Sequence, residues 1–255
     1  MVGKAPVIFG AEKFRIKGNE IGILISHGFM GTPQSVRYLG ERLAQNGYSI
    51  SAPRLLGHGT HYKDLEKCTH QDWFESLEER YKELKQQCRE VFVIGQSMGG
   101  TLSLWLANKY PEIKGVILIN PALTLPAFEK LRKKTRPRFI NNGKPDIKAK
   151  DTYELAYSRV PIKSIHELQD LMDKTPAILP EISSPILAMK STEDHVVPPE
   201  NTDYILENVN SKEKQLVVLQ DSYHVATLDN DKDQIVAESH QFVQQLIGAG
   251  SISVK

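Results

Sequence analysis

The stretch Gly95-Gln96-Ser97-Met98-Gly99 constrains this chain more than any other. It follows the apolar run Val91-Phe92-Val93-Ile94 and precedes Leu102-Ser103-Leu104-Trp105-Leu106-Ala107, which reads as a helix. A serine on a sharp strand-to-helix turn is held in a strained backbone conformation that exposes its hydroxyl, and the residues two before and two after it must be small. Gly95 and Gly99 meet that demand and Gly100 adds room. The alternative is a tight connection in which the serine only caps the helix, so the rest of the chain must decide.

Along the chain, strands and helices alternate. Ile21 to Ile25, Tyr48 to Ala52, Val91 to Ile94, Gly115 to Asn120, Ile186 to Met189 and Leu216 to Leu219 read as strands. The unbroken apolar runs among them are the pattern of strands buried on both faces. Helices are predicted from Thr32-Pro33 to Asn46-Gly47, from Asp72 to Gln87, from Met98 to Lys109, through Ile165, Leu168, Leu171 and Met172, near Asn201 to Leu206, and up to Gly248. The opening stretch to Lys17 reads as one or two short strands, and the tail after Gly248 is expected to fray.

This order predicts an α/β fold: a mostly parallel sheet covered by helices on both faces, in a single domain over residues 1–255. From about 121 to 160 the alternation stops. Prolines, an Asn141-Asn142-Gly143 turn and apolar residues without a sustained period predict an insertion over the sheet. Its basic cluster, Lys130, Arg132, Lys133, Lys134, Arg136 and Arg138, reads as a solvated face, with an interface-seeking role as the alternative. Gly57-His58-Gly59 lacks the third glycine of a dinucleotide fingerprint, since Tyr62 stands in its place, and reads as a backbone turn.

Several function classes are excluded by composition. A net charge of +1 over 255 residues provides no global field to recruit nucleic acid. The first nine residues lack the apolar core of a secretory signal, and no run is long enough to span a bilayer, so a soluble cytoplasmic protein is expected. Cys68 and Cys88 flank a helical pattern too long for a disulfide to bridge and are expected to be free thiols. There is no H-E-x-x-H, no cysteine and histidine ligand spacing and no phosphate-cradling G-K-[ST] loop, so no metal and no cofactor are expected.

A hydroxyl is a poor nucleophile at neutral pH, so Ser97 requires a base within hydrogen-bond reach and a group that orients the base. In open parallel sheets such groups collect at the carboxyl ends of the strands. Asp194 follows one predicted strand and His224 the next, which completes the chain order serine, acid, histidine. Glu193 and Asp221 are rival acids, but Glu193 precedes the turn and Asp221 is too near His224 in sequence to orient it from behind. His195 adjoins the acid, His27, His58 and His61 fall on loops, and His70, His166 and His240 fall on predicted helix surfaces; all are read as structural or solvated. Backbone N–H groups of Met98, after the nucleophile, and Phe29, in the loop His27-Gly28-Phe29-Met30-Gly31, are the expected oxyanion donors.

On these residues the sequence resembles the bacterial monoacylglycerol lipases, within the α/β-hydrolase carboxylesterases. The resemblance spans nearly the whole chain. It includes His27-Gly28-Phe29 with Gly31-Thr32-Pro33, Pro53-Arg54-Leu55 with Gly57 to Tyr62, Ser97 to Leu102, Glu193 to Pro199, and Ser222 to Asp229. It implies the same triad, Ser97, Asp194 and His224, and the same oxyanion donors, Phe29 and Met98. It further implies that the insertion, about 121–165, is a small cap over an acyl tunnel, and that Glu154 matches a cap carboxylate able to hydrogen-bond glycerol. Gln96, Met30 and the region from about Lys130 to Lys150 depart from the family pattern.

The expected activity is hydrolysis of a carboxylic ester through an acyl-enzyme. The substrate would be a small molecule with a medium or long acyl chain and a small polar alcohol, and membrane contact would be at most transient, through the cap. A general carboxylesterase for short soluble esters is the alternative, followed by a ligand-binding module that kept only the fold.

Overall fold

Strands that are apolar on both faces must be enclosed by two layers of helix. The computed structural model of the protein, which describes residues 5–251, is built in that way. In chain order the elements are β1 (Phe14–Ile16), β2 (Ile21–Ser26), α1 (Arg37–Gln45), β3 (Ser49–Ala52), α2 (Tyr62–Leu65), α3 (His70–Lys85), β4 (Glu90–Gln96), α4 (Met98–Lys109) and β5 (Gly115–Ile119). There follow α5 (Pro126–Glu129), β6 (Phe139–Asn141), β7 (Arg159–Pro161), α6 (Ile162–Lys174), β8 (Ile186–Ser191), α7 (Glu200–Asn208), β9 (Lys214–Leu219) and α8 (Lys232–Ser251). Seven strands form one sheet in the order β1-β3-β2-β4-β5-β8-β9. All neighbours are parallel except β1, which pairs antiparallel with β3.

Because successive side chains of a strand point to opposite faces, each strand feeds two cores. Ile23, Ile25, Phe92, Ile94, Ile117 and Ile119 share one with Leu39 and Leu43 of α1 and Ile235, Phe242 and Leu246 of α8. Leu24, Val91, Val93, Val116 and Leu118 share the other with Trp73 and Leu77 of α3, Leu102 and Leu106 of α4 and Leu168 of α6. The stripe of α3 is fixed in register by its start, where the Thr69 hydroxyl accepts from the Asp72 N–H and the Asp72 carboxylate takes the Thr69 N–H at 2.7 Å.

The aperiodic stretch after Asn120 carries more order than its pattern conveys. β6 and β7 form a separate antiparallel ribbon, Phe139 opposite Pro161 and Asn141 opposite Arg159, and strands of three residues are too short to leave a period-2 signature. The basic cluster is solvated, and two of its members are paired: Arg132 with Glu129 and Asp173, and Arg138 with Glu66. Solvent screens such exposed pairs, so they add little to stability. Among the described residues of the opening stretch one strand forms, β1, and α8 continues past Gly248 to Ser251. Residues 1–4 and 252–255, which include the end of the expected frayed tail, lie outside the described residues. Cys68 and Cys88 are buried and unpaired, and among the described residues no helix is long and apolar enough to cross a membrane.

Phe92, fully buried on a strand paired on both sides, is the sharpest test of this packing. Phe92→Ala is expected to cost about 3–5 kcal/mol in equilibrium denaturant unfolding. A loss below about 1 kcal/mol would contradict the packing described.

Candidate active site

The serine turn sits at the carboxyl end of β4. Ser97 has φ 55° and ψ −123°, outside the regions L-residues favour, and α4 begins at the next residue. The space around it explains the glycines. A Cβ on Gly95 would lie 2.1 Å from the Gly99 carbonyl oxygen, and one on Gly99 would lie 2.4 Å from that of Ser26. Larger residues at either position would force β4, α4 and β2 apart.

The ends of β8 and β9 bring the other two side chains to this serine. Ser97 Oγ lies 2.9 Å from His224 Nε2, and His224 Nδ1 lies 2.8 Å from Asp194 Oδ2. The second oxygen of Asp194 accepts the N–H groups of Val196 and Val197 at 2.9 and 2.8 Å, so this nearly buried carboxylate is satisfied on all sides. The rival acids are elsewhere: Asp221 is exposed and pairs with Lys148, and Glu193 is exposed beside His195. Ser97, Asp194 and His224 are therefore brought together and the rivals are not.

The main chain of His224 is held as firmly as its ring. Its carbonyl accepts from Asn120 Nδ2 at 2.9 Å, and Asn120 also takes the Ser191 N–H at 2.8 Å through its own oxygen. Gln96 adds a long contact to the same carbonyl, at 3.5 Å, and accepts from the hydroxyl and N–H of Thr227. Asn120 was not singled out in the sequence. Its position at the end of β5, beside the turn, was the available signal, and its φ of 44° is visible only in the fold.

The loop after β2 lies against the serine: a Cβ on Gly28 would stand 3.2 Å from the Ser97 Cβ. Among the described residues, neither the Phe29 nor the Met98 N–H donates to another protein group. His27 is fully buried, and the Leu55 N–H donates to its Nε2 at 3.2 Å. Its Nδ1 therefore carries the proton and donates to the Gly28 carbonyl at 2.9 Å, the carbonyl of the very peptide whose N–H belongs to Phe29. Burial lowers the His27 pKa to about 4, which keeps the ring neutral above that pH.

The other histidines have structural partners. His58 is fully buried, edge-on to His27 and Trp73. The three expected on helix surfaces are instead partly buried and bonded, His70 to Glu167, His166 to the Leu131 carbonyl and His240 to the Tyr48 hydroxyl. Periodicity places a residue on a helix but does not tell what packs above that face.

Above Ser97 and His224 lies a cavity of about 450 Å³, within the usual range for small-molecule sites. Phe29, Leu125, Phe128, Leu168, Val196 and Val225 supply apolar wall. Glu154 stands in the wall from the insertion, so close to the loop after β2 that a Cβ on Gly31 would meet its Oε1 at 2.6 Å. Burial raises its pKa to about 7, with the charge of His224 pulling weakly the other way.

A parallel sheet with a serine turn after one strand, and an acid and a histidine after later strands, is the arrangement of α/β-hydrolases. Residues 19–231 match the family model of serine aminopeptidase S33, Hydrolase_4, and the chain belongs to that family. It is 46% identical to a thermostable monoacylglycerol lipase of Bacillus sp. strain H-257, over 95% of this chain and 98% of that protein. A carboxylesterase of Bacillus subtilis strain 168 is 29% identical over 92% of this chain and 97% of its own. A solved structure reported with the metagenome-derived lipolytic enzymes LipS and LipT superposes with a TM-score of 0.91 at 40% identity, covering 94% of this chain and all of that one.

Glu154 makes stability depend on pH in a defined sense. Its folded pKa of about 7 is above the ordinary value of 4.5, so between these the native state holds the proton more tightly than the unfolded chain. Stability is full below pH 4.5 for this group and falls as pH rises toward 7. Glu154→Gln is expected to remove that fall, so that its denaturation midpoint exceeds that of the wild type more at pH 8 than at pH 5; equal differences at both would refute the raised pKa.

Proposed function

We propose that the protein hydrolyses monoacylglycerols to fatty acid and glycerol through an acyl-enzyme on Ser97. The observation that carries this reading is the unbroken hydrogen-bond chain from Ser97 through His224 to Asp194, opening onto an apolar cavity. Its relatives, named a monoacylglycerol lipase and a carboxylesterase, support ester chemistry.

Ser97 Oγ attacks the acyl carbonyl as His224 Nε2 takes its proton, and Asp194 holds the resulting imidazolium. The tetrahedral oxyanion is stabilised by the N–H groups of Phe29 and Met98, the second at the start of α4, where the helix dipole favours negative charge. As the carbon–oxygen bond to the alcohol breaks, His224 returns the proton to glycerol. Water, deprotonated by the same nitrogen, then attacks the acyl-enzyme and frees the acid. The segment of about 121–165 acts as a cap whose apolar wall receives the acyl chain, while Glu154 hydrogen-bonds the glycerol hydroxyls. The two buried free thiols suit a cytoplasmic setting.

Ser97→Ala should abolish turnover and fluorophosphonate labelling, and Asp194→Asn should lower kcat by about 10³–10⁴-fold, both with native circular dichroism. Near-normal rates in either variant would remove that residue from the mechanism. Across an acyl-length series, 1-monoacylglycerols should exceed the corresponding methyl esters in kcat/KM. Glu154→Ala should narrow that ratio by about tenfold, the worth of one lost hydrogen bond of about 1.4 kcal/mol. A preference for short soluble esters would favour a general carboxylesterase instead.

A further inference from the structure

The carboxylate of Asp146 has a set of partners that the relay alone does not explain. Its Oδ2 accepts two main-chain N–H groups, those of His195 and His224, each at 3.1 Å. Its Oδ1 receives the Nδ1 of the exposed His195 ring at 2.8 Å, and its own main-chain carbonyl accepts the Val225 N–H at 3.0 Å. His195 directly follows the acid Asp194, and His224 is the base itself. One side chain from the inserted segment thus ties together the two loops that carry the acid and the base.

The tie is reinforced along the same segment. The N–H groups of Lys148 and Ala149 donate to the buried Asp229 carboxylate, each at 2.8 Å, and that carboxylate also takes the Tyr223 N–H at 2.9 Å. Lys148 Nζ pairs with Asp221 at 2.9 Å. At the other face of His224, Asn120 and Gln96 hold the carbonyl. The base residue is therefore gripped through its C=O from the sheet and through its N–H from the insertion, and each grip limits a different rotation of its backbone.

We propose that Asp146 is a positioning residue for the hydrolytic relay: it fixes His224 between Ser97 and Asp194 and couples the pocket wall at 144–146 to that alignment. Lys144, Pro145 and Asp146 all line the cavity. A substrate that presses on this wall bears on the loops of acid and base through a single carboxylate. The proposal rests on the reading of His224 as the base.

The test compares Asp146→Ala and Asp146→Asn with the wild type, using steady-state hydrolysis of a monoacylglycerol and the rate at which a small fluorophosphonate labels Ser97. The small probe does not depend on the fit of an acyl chain to the insertion. Asp146→Ala is expected to lower kcat and the labelling rate together by about 10–100-fold, the scale of a misplacement of about 1 Å, while KM changes by less than about threefold. Asp146→Asn, which keeps an oxygen for the two main-chain N–H groups, should recover most of the loss. His195→Ala removes only the exposed ring contact and should stay within about threefold of the wild type.

A rise in KM with unchanged labelling would show that Asp146 only shapes the pocket, and unchanged kcat and labelling would show that it does nothing for the relay; either overturns the proposal. Should Asp146→Ala fold poorly, Asp146→Ser, whose hydroxyl is too short to reach both amides, is read in the same way. Wild-type labelling that is insensitive to His224→Ala would instead refute the reading of the base, so the two failures are distinguishable.

Discussion

The left-handed φ of Ser97 is the constraint on which the rest of the structure depends. A non-glycine residue in such a conformation costs about 1–3 kcal/mol and persists only where its surroundings leave no alternative. Here β4 is paired on both sides, by β2 and β5, α4 is buried from its first residue, and Gly95 and Gly99 allow the backbones to close to within contact distance. Two well-packed cores hold the turn in place, and the turn in turn lifts one hydroxyl to the sheet's rim. The same closeness brings the loop after β2 beside the serine, so the proposed nucleophile and the proposed oxyanion donors share one point of the fold.

Around that point, polar groups are arranged so that almost nothing can rotate. Asp194 spends one oxygen on His224 and the other on two amides, His224 is held through both its N–H and its C=O, and His27 is locked in one tautomer by donors and acceptors of opposite sense. Dipoles fixed in this way need no reorganisation as charge develops on a reacting ester. Glu154 is the exception. It is a carboxylate whose proton is gained and lost near neutral pH, and it stands in the cavity wall.

What was legible in the sequence follows from which interactions are local. The strands Ile21 to Ile25 and Val91 to Ile94, the small residues about Ser97, and the acid and histidine placed after successive strands leave signatures in adjacent residues, because burial on both faces and a cramped turn act at short range. The ribbon of β6 and β7 and the partners of His70, His166 and His240 leave none, and the role of Asn120 in holding His224 leaves only its place at the end of β5. They depend on residues from 18 to 192 positions apart in the chain meeting in space. Asp146, in the stretch that departs most from the family pattern, has no local mark at all.

The sequence by itself determined the class of fold and singled out Ser97, Asp194 and His224, which meet in the structure, since hydrophobic periodicity and steric need at a turn are written into neighbouring side chains. Only the tertiary structure decided that His27 and Asn120 brace the loops, and that a carboxylate from the segment after Asn120 binds the loops of both Asp194 and His224. Burial and hydrogen-bond satisfaction belong to the packed chain as a whole, and no stretch of it specifies them alone.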